Sequence, residues 1–386
     1  MNRQIAMLYP FSLSTASIPR FRHLLNELDL RHLVAPVSMG VVGMDSSRVD
    51  EGPVTGMQVS SSFEEALEKC TVLIAAEYEF DDNTHYFNKV IENLKLAIIK
   101  QKNTYCTLPL EPPVISEFDQ LAKEHGSMFT YMKGPCLDAA SISELSNKKN
   151  LKLNTPVVAV MGLGPNCSKF EIQLGLRENI LKKGFKVSQI GSKHYCELFG
   201  FHSFPSFMYS NEYDEETKIF AFSRFLRDIE IRENPDVIIL GIPEGIMKYN
   251  DRIINRFGTL AYEVGCAVTS DYTVLSLPCE EINNEYIAML VECLKYRNSM
   301  VLDSLSISNI HINEDSINKE YMPVSFDVMP DSYVDLVCKD YTLPTPSIYK
   351  SYRSDDVARL ADAICDQLSG NIDRVDIEVL KEDVLV

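Results

Sequence analysis

The chain has 386 residues, 45% hydrophobic and 24% charged, which marks a globular protein larger than one ordinary domain rather than a disordered one. Its formal charge of −18 argues against nucleic acid and anionic membrane surfaces as partners and suits a basic protein or peptide. No apolar run reaches membrane-spanning length and Met1–Gln4 leads straight into a strand, while ten cysteines without a C-x-x-C pair read as free thiols. A cytoplasmic protein with no zinc or iron–sulfur site is therefore expected.

Ile5–Tyr9 reads as a first strand, followed by a Ser/Thr-rich loop. Pro19–Asp29 has Phe21, Leu24, Leu25 and Leu28 at helical spacing, and Leu33–Ser38 reads as a second strand. Ser62 with Glu65 has the spacing of a capping box for a helix through Cys70. Val72–Ala76 is a buried strand that ends in the acidic loop Glu77–Asp82; a helix over Phe87–Gln101 and a strand over Tyr105–Leu108 follow. This alternation predicts a doubly wound, Rossmann-like α/β domain over residues 1–135. It carries no G-x-G-x-x-G, so a nicotinamide or flavin cofactor has no support. The loop Ser12–Ser17 reads as flexible, with a small-anion site as the alternative. The polar run Ser146–Asn150 is the expected boundary to a second domain, over residues 150–312.

That domain is organised around Thr155–Gly191. Val157–Met161 is a continuous apolar, β-branched run of the kind found in buried parallel strands. Gly162-Leu163-Gly164-Pro165-Asn166-Cys167-Ser168 then makes a small-residue turn before Lys169, a helical stretch over Phe170–Lys183 and a strand over Phe185–Ile190. Strand, turn with lysine, helix and strand is the layout of a phosphate-binding loop: backbone N–H groups curl around an anion, the helix N-terminus adds positive potential, and the lysine completes the cradle. Gly162, Gly164, Pro165, Asn166, Cys167, Ser168 and Lys169 are thus the candidate nucleotide-binding residues for ATP or GTP. The pattern G-x-x-x-x-G-K-[ST] is met imperfectly. Ser168 stands where a glycine belongs, Gly162 lies one residue too far back, and Phe170 replaces the hydroxyl residue that holds Mg²⁺. Cys167 reads as a small turn filler, or as a thiolate stabilised by the helix N-terminus and Lys169.

Lys193, His194 and His202 fall in an aromatic, non-periodic loop, and Glu215–Arg232 is helical. Pro235–Gly241 is a second buried strand. At its carboxyl end stands Glu244, the candidate acid, whereas Asp236 lies at the wrong end; Glu171 is the other candidate catalytic carboxylate. A helix over Phe257–Val264, a strand within Val268–Leu277, a helix over Asn284–Tyr296 and a strand within Val301–Ile310 complete a parallel sheet domain like those of phosphate-loop NTPases. His311–Glu320 is a second polar boundary. Residues 313–386 read as a small α+β appendage, strand-like over Tyr321–Cys338 and Tyr341–Ile348, with a helix over Val357–Leu368 capped by Ser354-Asp355-Asp356 and a frayed tail beyond Leu380.

Gly162–Ser192, Pro235–Met247 and Arg256–Pro278 together resemble the peptide maturation system proteins found beside radical-SAM maturases and short precursor peptides, chiefly in clostridia. The resemblance extends in domain order over nearly the whole chain, and that family is itself similar to phosphate-loop NTPases. It implies a pathway, the modification of a ribosomally made peptide, with a precursor peptide and a radical-SAM maturase as partners. In the family the position of Ser168 is usually glycine and the loop after Pro235 usually reads I-P-G-G, which Glu244 interrupts here. Three readings follow: a nucleotide-binding accessory protein of peptide maturation, an ATP-dependent activating or phosphoryl-transfer enzyme, and a scaffold or peptide-recognition protein with an empty loop. Catalytic triads lack support, since there is no G-x-S-x-G.

Overall fold

The structure, a computed structural model, describes residues 3–78, 84–137, 149–313, 315–316 and 324–370. Among these the chain divides into two compact units, one holding 3–133 and 194–200, the other 134–193, 201–316 and 324–370. Most of the acidic loop after Ala76, most of the run Ser146–Asn150, much of the polar stretch after His311 and the tail beyond Leu380 lie outside the described residues.

In unit 1, β1 (Gln4–Tyr9), β2 (Leu28–Val34), β3 (Val59–Ser60), β4 (Val72–Ala75), β5 (Asn103–Cys106) and β6 (Phe129–Tyr131) form a six-stranded sheet in the order β3-β2-β1-β4-β5-β6. Every pairing is parallel, the doubly wound arrangement expected from the alternation. The connections carry α1 (Ser17–Arg20), α2 (Phe63–Glu68), α3 (Thr84–Ile99) and α4 (Pro112–His125). Leu73 and Ala75 of β4 pack with Val90, Leu94 and Ile98 of α3 and Phe118 of α4.

Two local expectations fail here. The helix over Pro19–Asp29 is replaced by the single turn α1, a 3-10 turn at Arg22–Leu24, and then β2, which starts at Leu28. Leu28 and Leu30 alternate inward with Asp29 and Arg31, a period of two that the run of leucines before them obscures. Ser62 does sit at the N-cap of α2, but its side chain makes no capping hydrogen bond.

In unit 2 the elements run β7 (Val157–Gly162), α5 (Lys169–Lys182), β8 (Val187–Gly191), β9 (His202–Ser203), α6 (Glu215–Glu233), β10 (Val237–Gly241), α7 (Thr259–Ala267), β11 (Tyr272–Leu277), α8 (Asn284–Asn298), β12 (Ser304–Ile307), β13 (Ile310–Ile312), β14 (Phe326–Val328), α9 (Asp331–Val337), β15 (Ser347–Lys350) and α10 (Ser354–Leu368). Seven strands pair in the order β15-β12-β11-β7-β10-β8-β9, all parallel, while β13 and β14 form a separate antiparallel ribbon. The continuous apolar runs are explained by burial on both faces. Val157, Ala159 and Met161 of β7 enter the core under α6, α7 and α8, whereas Val158 and Val160 enter the core under α5 and α10.

Residues 313–386 were expected as an appendage of their own, yet β15 pairs with β12 at the edge of this sheet, and α10 packs on α5. The two helices approach closely because Gly175 has no side chain: a Cβ there would stand 2.7 Å from Val357 Cγ1. Of the strand expected over Tyr321–Cys338, residues 321–323 lie outside the described residues and β14 covers Phe326–Val328; Pro330 is the N-cap of α9, whose Val334 and Val337 turn inward.

Candidate phosphate-binding site

The turn after β7 lies at the carboxyl end of the central strand of unit 2, where open parallel sheets place their ligands. Asn166 and Ser168 both adopt left-handed backbone, with φ of 51° and 59°, and Ser168 is the N-cap of the 14-residue helix α5. Glycine is the usual residue at the position before the lysine because it takes this conformation without strain, so Ser168 holds the glycine-like geometry at a cost of about 1 kcal/mol. Left-handed residues between others turn successive N–H groups toward one side, the geometry of an anion nest.

The lysine is built into this turn. Lys169 Nζ donates to the backbone carbonyl of Glu244 and, at 3.4 Å, to that of Ile242. Its aliphatic stem folds back over Gly162, where a Cβ would lie 2.6 Å from Lys169 Cδ and 2.8 Å from Cys167 Sγ. Burial pushes the Lys169 ammonium below its usual range, and nearby Lys193 adds to that, while Cys167 and Glu244 oppose it. Cys167 is buried and its thiol donates to Gly164 O at 3.1 Å, so it is the turn filler that one of the two sequence readings describes. Ser276 of β11 donates to Cys167 O, and Leu163 N donates to Ser276 O at 3.0 Å, which ties the turn to the neighbouring strand.

Glu244 lies beside Lys169, which reaches its backbone carbonyl. Glu244 is half-buried with φ of 57°, and its Oε2 is buried without a hydrogen-bond partner. Burial raises the Glu244 carboxyl above its usual range, against the pull of Arg256 and Lys169. Glu171 sits in the first turn of α5, half-buried. Asp236, at the other end of β10, accepts from Lys186 N at 2.7 Å and stays outside the site. Phe170 is 2% exposed and packs against Phe201 with 6.2 Å between ring centroids and the planes tilted by 41°, so the position that would supply a metal-binding hydroxyl is core. Among the described residues, no group of three or more His, Cys, Asp or Glu is placed to hold a metal ion. The donor set therefore does not fit Mg²⁺ in the usual phosphate-loop manner. His202 pairs with Glu233 at 2.5 Å, a contact between β9 and α6.

Sequence reasoning missed the supports of the loop. Asn255, Arg256 and Phe257 take φ of 45°, 45° and 55°, and Gly258 follows at 75°, a run of left-handed residues that costs several kcal/mol unless it is held in place. It is held by Asn255 Nδ2, which donates to Leu163 O at 2.8 Å and Met247 O at 2.9 Å, and by Arg297, which donates to Phe257 O. Gly258 is required because a Cβ would stand 2.0 Å from Ile246 O. The expected helix over Phe257–Val264 accordingly starts two residues later, at Thr259. Gln173, fully buried, donates to Lys169 O at 3.0 Å and Ser192 Oγ at 2.9 Å, and its amide occupies the space a side chain on Gly241 would need. A glutamine set between Ile172 and Leu174 in the first turns of α5 and the Asn-Arg-Phe-Gly run were the available signals.

No protein-family profile matches the chain, and no curated protein matches it. Among solved structures, a DUF1611 family protein from Anabaena variabilis ATCC 29413 aligns over 96% of this chain and 100% of its own, at 14% identity and a TM-score of 0.59. That likeness shows a shared α/β fold over nearly the full length. An amine dehydrogenase from Mycobacterium smegmatis (16% identity, 44% of this chain and 52% of that one) and an NAD-binding protein from Listeria innocua (12%, 43% and 47%) align at TM-scores of 0.28, too low to bear on this chain. Among the described residues, no helix is long and apolar enough to cross a membrane.

Proposed function

We propose that unit 2 binds the phosphates of a nucleoside triphosphate, ATP or GTP, at Gly162–Lys169, and that the protein is an accessory component of a ribosomal-peptide maturation system. The observation that carries the first half is the turn itself: left-handed Asn166 and Ser168 at the head of a long helix, with Lys169 folded over Gly162. On binding, Lys169 would leave the Glu244 and Ile242 carbonyls for the phosphate oxygens, a stronger charge-assisted partner. The second half rests on the resemblance of Gly162–Ser192, Pro235–Met247 and Arg256–Pro278 to that family, with a precursor peptide and a radical-SAM maturase as the partners to test.

Buried Phe170 favours binding over Mg²⁺-dependent hydrolysis, and so favours the accessory role over a phosphoryl-transfer enzyme. Calorimetric titration with ATP and GTP, each with and without Mg²⁺, tests this. Saturable binding that survives without Mg²⁺ is the expected result. Binding that requires Mg²⁺, with release of phosphate, would assign the carboxylate of Glu244 or Glu171 a metal role and make the enzyme reading the better one. Absence of binding would leave the scaffold reading, to be tested by capture of the precursor peptide.

A further inference from the structure

Beside the phosphate loop, unit 2 contains a cavity of about 880 Å³. It opens at the carboxyl ends of the strands: Leu163 follows β7, Tyr249 follows β10, Glu280 follows β11, and His311 lies on β13. Loop and cavity share a wall, since a Cβ on Gly164 would lie 3.3 Å from Ile312 Cδ1 and 3.9 Å from a ring carbon of Tyr249.

The lining has a definite chemistry. Tyr249, Tyr286 and Tyr333 supply aromatic rings, and Glu280 and Glu281 supply carboxylates. The Tyr249 hydroxyl donates to Glu280, which fixes that carboxylate at the wall. Tyr286 is kept a neutral phenol, its hydroxyl pushed up to about 12 by burial and by the charge of Glu280. His311 Nδ1 lies 2.9 Å from Cys279 O and donates to it, which fixes the ring at the wall. Lys248 of the lining pairs with Asp251 at the exposed rim, and two carboxylates, Glu280 and Glu281, stand in the lining against this one ammonium. A lining that combines aromatic rings with carboxylates attracts a positive charge and offers little to an anion.

We propose that this cavity is the binding site of a small organic cation bearing an ammonium group, seated next to the phosphate loop. The proposal goes beyond the nucleotide reading and is tested apart from it, with no nucleotide present. Full-length protein is titrated calorimetrically with choline, with ethanolamine and with 3,3-dimethylbutanol, the uncharged analogue of choline. The expected result is saturable binding of at least one cation, weakened about tenfold or more in Glu280→Gln, the loss of one charge-assisted contact, and weaker binding of the neutral alcohol. Glu281→Gln, at an exposed position that threatens folding less, is expected to weaken binding in the same direction. The proposal is overturned if neither cation binds saturably, if the neutral alcohol binds as tightly, or if both variants bind as the parent does. A parallel ATP titration separates the two readings. ATP binding without cation binding removes this inference alone, and cation binding without ATP binding removes the nucleotide reading alone.

Discussion

Both units are open parallel sheets with a turn at the carboxyl end of a central strand, yet the two turns are chemically opposite. After β1, the segment Phe11–Ser17 folds onto itself. Ser12, Thr15 and Ser17 are fully buried, Ser12 N donates to Thr15 Oγ1 at 2.9 Å, and Thr15 Oγ1 donates to Ser12 O at 3.1 Å. Within the same unit, Tyr195 donates to Ser14 O at 2.9 Å, and its hydroxyl lies 3.1 Å from Ser17 Oγ. The helix that follows has only four residues and little dipole to offer. Neither sequence reading of this loop describes that buried, internally bonded turn. After β7, left-handed Asn166 and Ser168 stand at the head of a 14-residue helix, the backbone pattern of an anion nest. Topology gives both units a ligand position; turn composition and helix length decide which one is equipped to cradle an anion.

The largest effect expected is on binding. Lys169→Ala removes the cation of the nest, which corresponds to a loss of about 2–4 kcal/mol in nucleotide affinity and abolishes nucleotide-dependent thermal stabilisation. Ser17→Ala in unit 1 is expected to lower stability by about 1 kcal/mol and to leave the nucleotide response intact. If the serine variant lost the response and the lysine variant kept it, the contrast between the turns would be reversed. Next in size is Gly162→Ala. The new methyl meets Lys169 Cδ at 2.6 Å and Cys167 Sγ at 2.8 Å, a clash expected to cost about 1–3 kcal/mol and to displace the lysine. Gly164→Ala meets Ile312 Cδ1 at 3.3 Å, the far end of a flexible side chain, and should cost less. Denaturant unfolding of the two variants checks that ranking, and equal losses would mean that the path of Lys169 does not matter.

A smaller effect separates the loop from its support. Asn255→Ala deletes both amide bonds to Leu163 O and Met247 O and puts alanine at φ 45°, together about 1–2 kcal/mol. Asn255→Gly keeps the backbone relaxed and loses the bonds alone. Nucleotide affinity that falls in both variants would show that the left-handed turn positions the loop. Affinity that falls in neither would confine the turn to stability.

The sheets were legible because parallel strands buried on both faces leave continuous apolar runs, as at Val157–Met161 and Val72–Ala75; caps were a poorer guide, since neither Ser62 nor Ser354-Asp355-Asp356 supplies the side-chain bond expected of it. The turn between β7 and α5 was legible from its small residues and lysine. Its supports were not. Asn255 and Gln173 act across 92 and 4 residues of sequence through bonds to backbone carbonyls, and no spacing rule encodes a carbonyl. The edge strand β15 was assigned to a separate region because strand order is a long-range property, visible only when Ser304–Ile307 meets Ser347–Lys350. The helix expected over Pro19–Asp29 fell to the same cause, since pairing with β1 claims Leu28 and Leu30 for a strand.

The finest distinction concerns Glu244. Its carboxyl is raised by burial, so the folded protein takes up this proton more readily than the unfolded chain does. Between the ordinary glutamate range and the raised value, stability therefore falls as pH increases, and above both values the loss is complete. Glu244→Gln cannot ionise, so its melting temperature should lack that part of the decline, and at neutral pH the variant should melt slightly higher than the parent. Unit 1 supplies the opposite sign. Burial alone would raise Asp45, but bonds from Ser47 and Thr55 hold it well below the usual range. Asp45 thus contributes stability at neutral pH that is lost as pH falls through its lowered value, and Asp45→Ala should melt lower. A residue that weakens the fold is expected where function requires it. Nucleotide affinity measured without metal supplies the decisive control: with Glu244 neutralised, repulsion of the phosphates is relieved, and affinity should rise in the variant. If affinity is unchanged, Glu244 does not face the bound phosphates, and if the two melting curves run parallel across pH, burial does not raise its carboxyl.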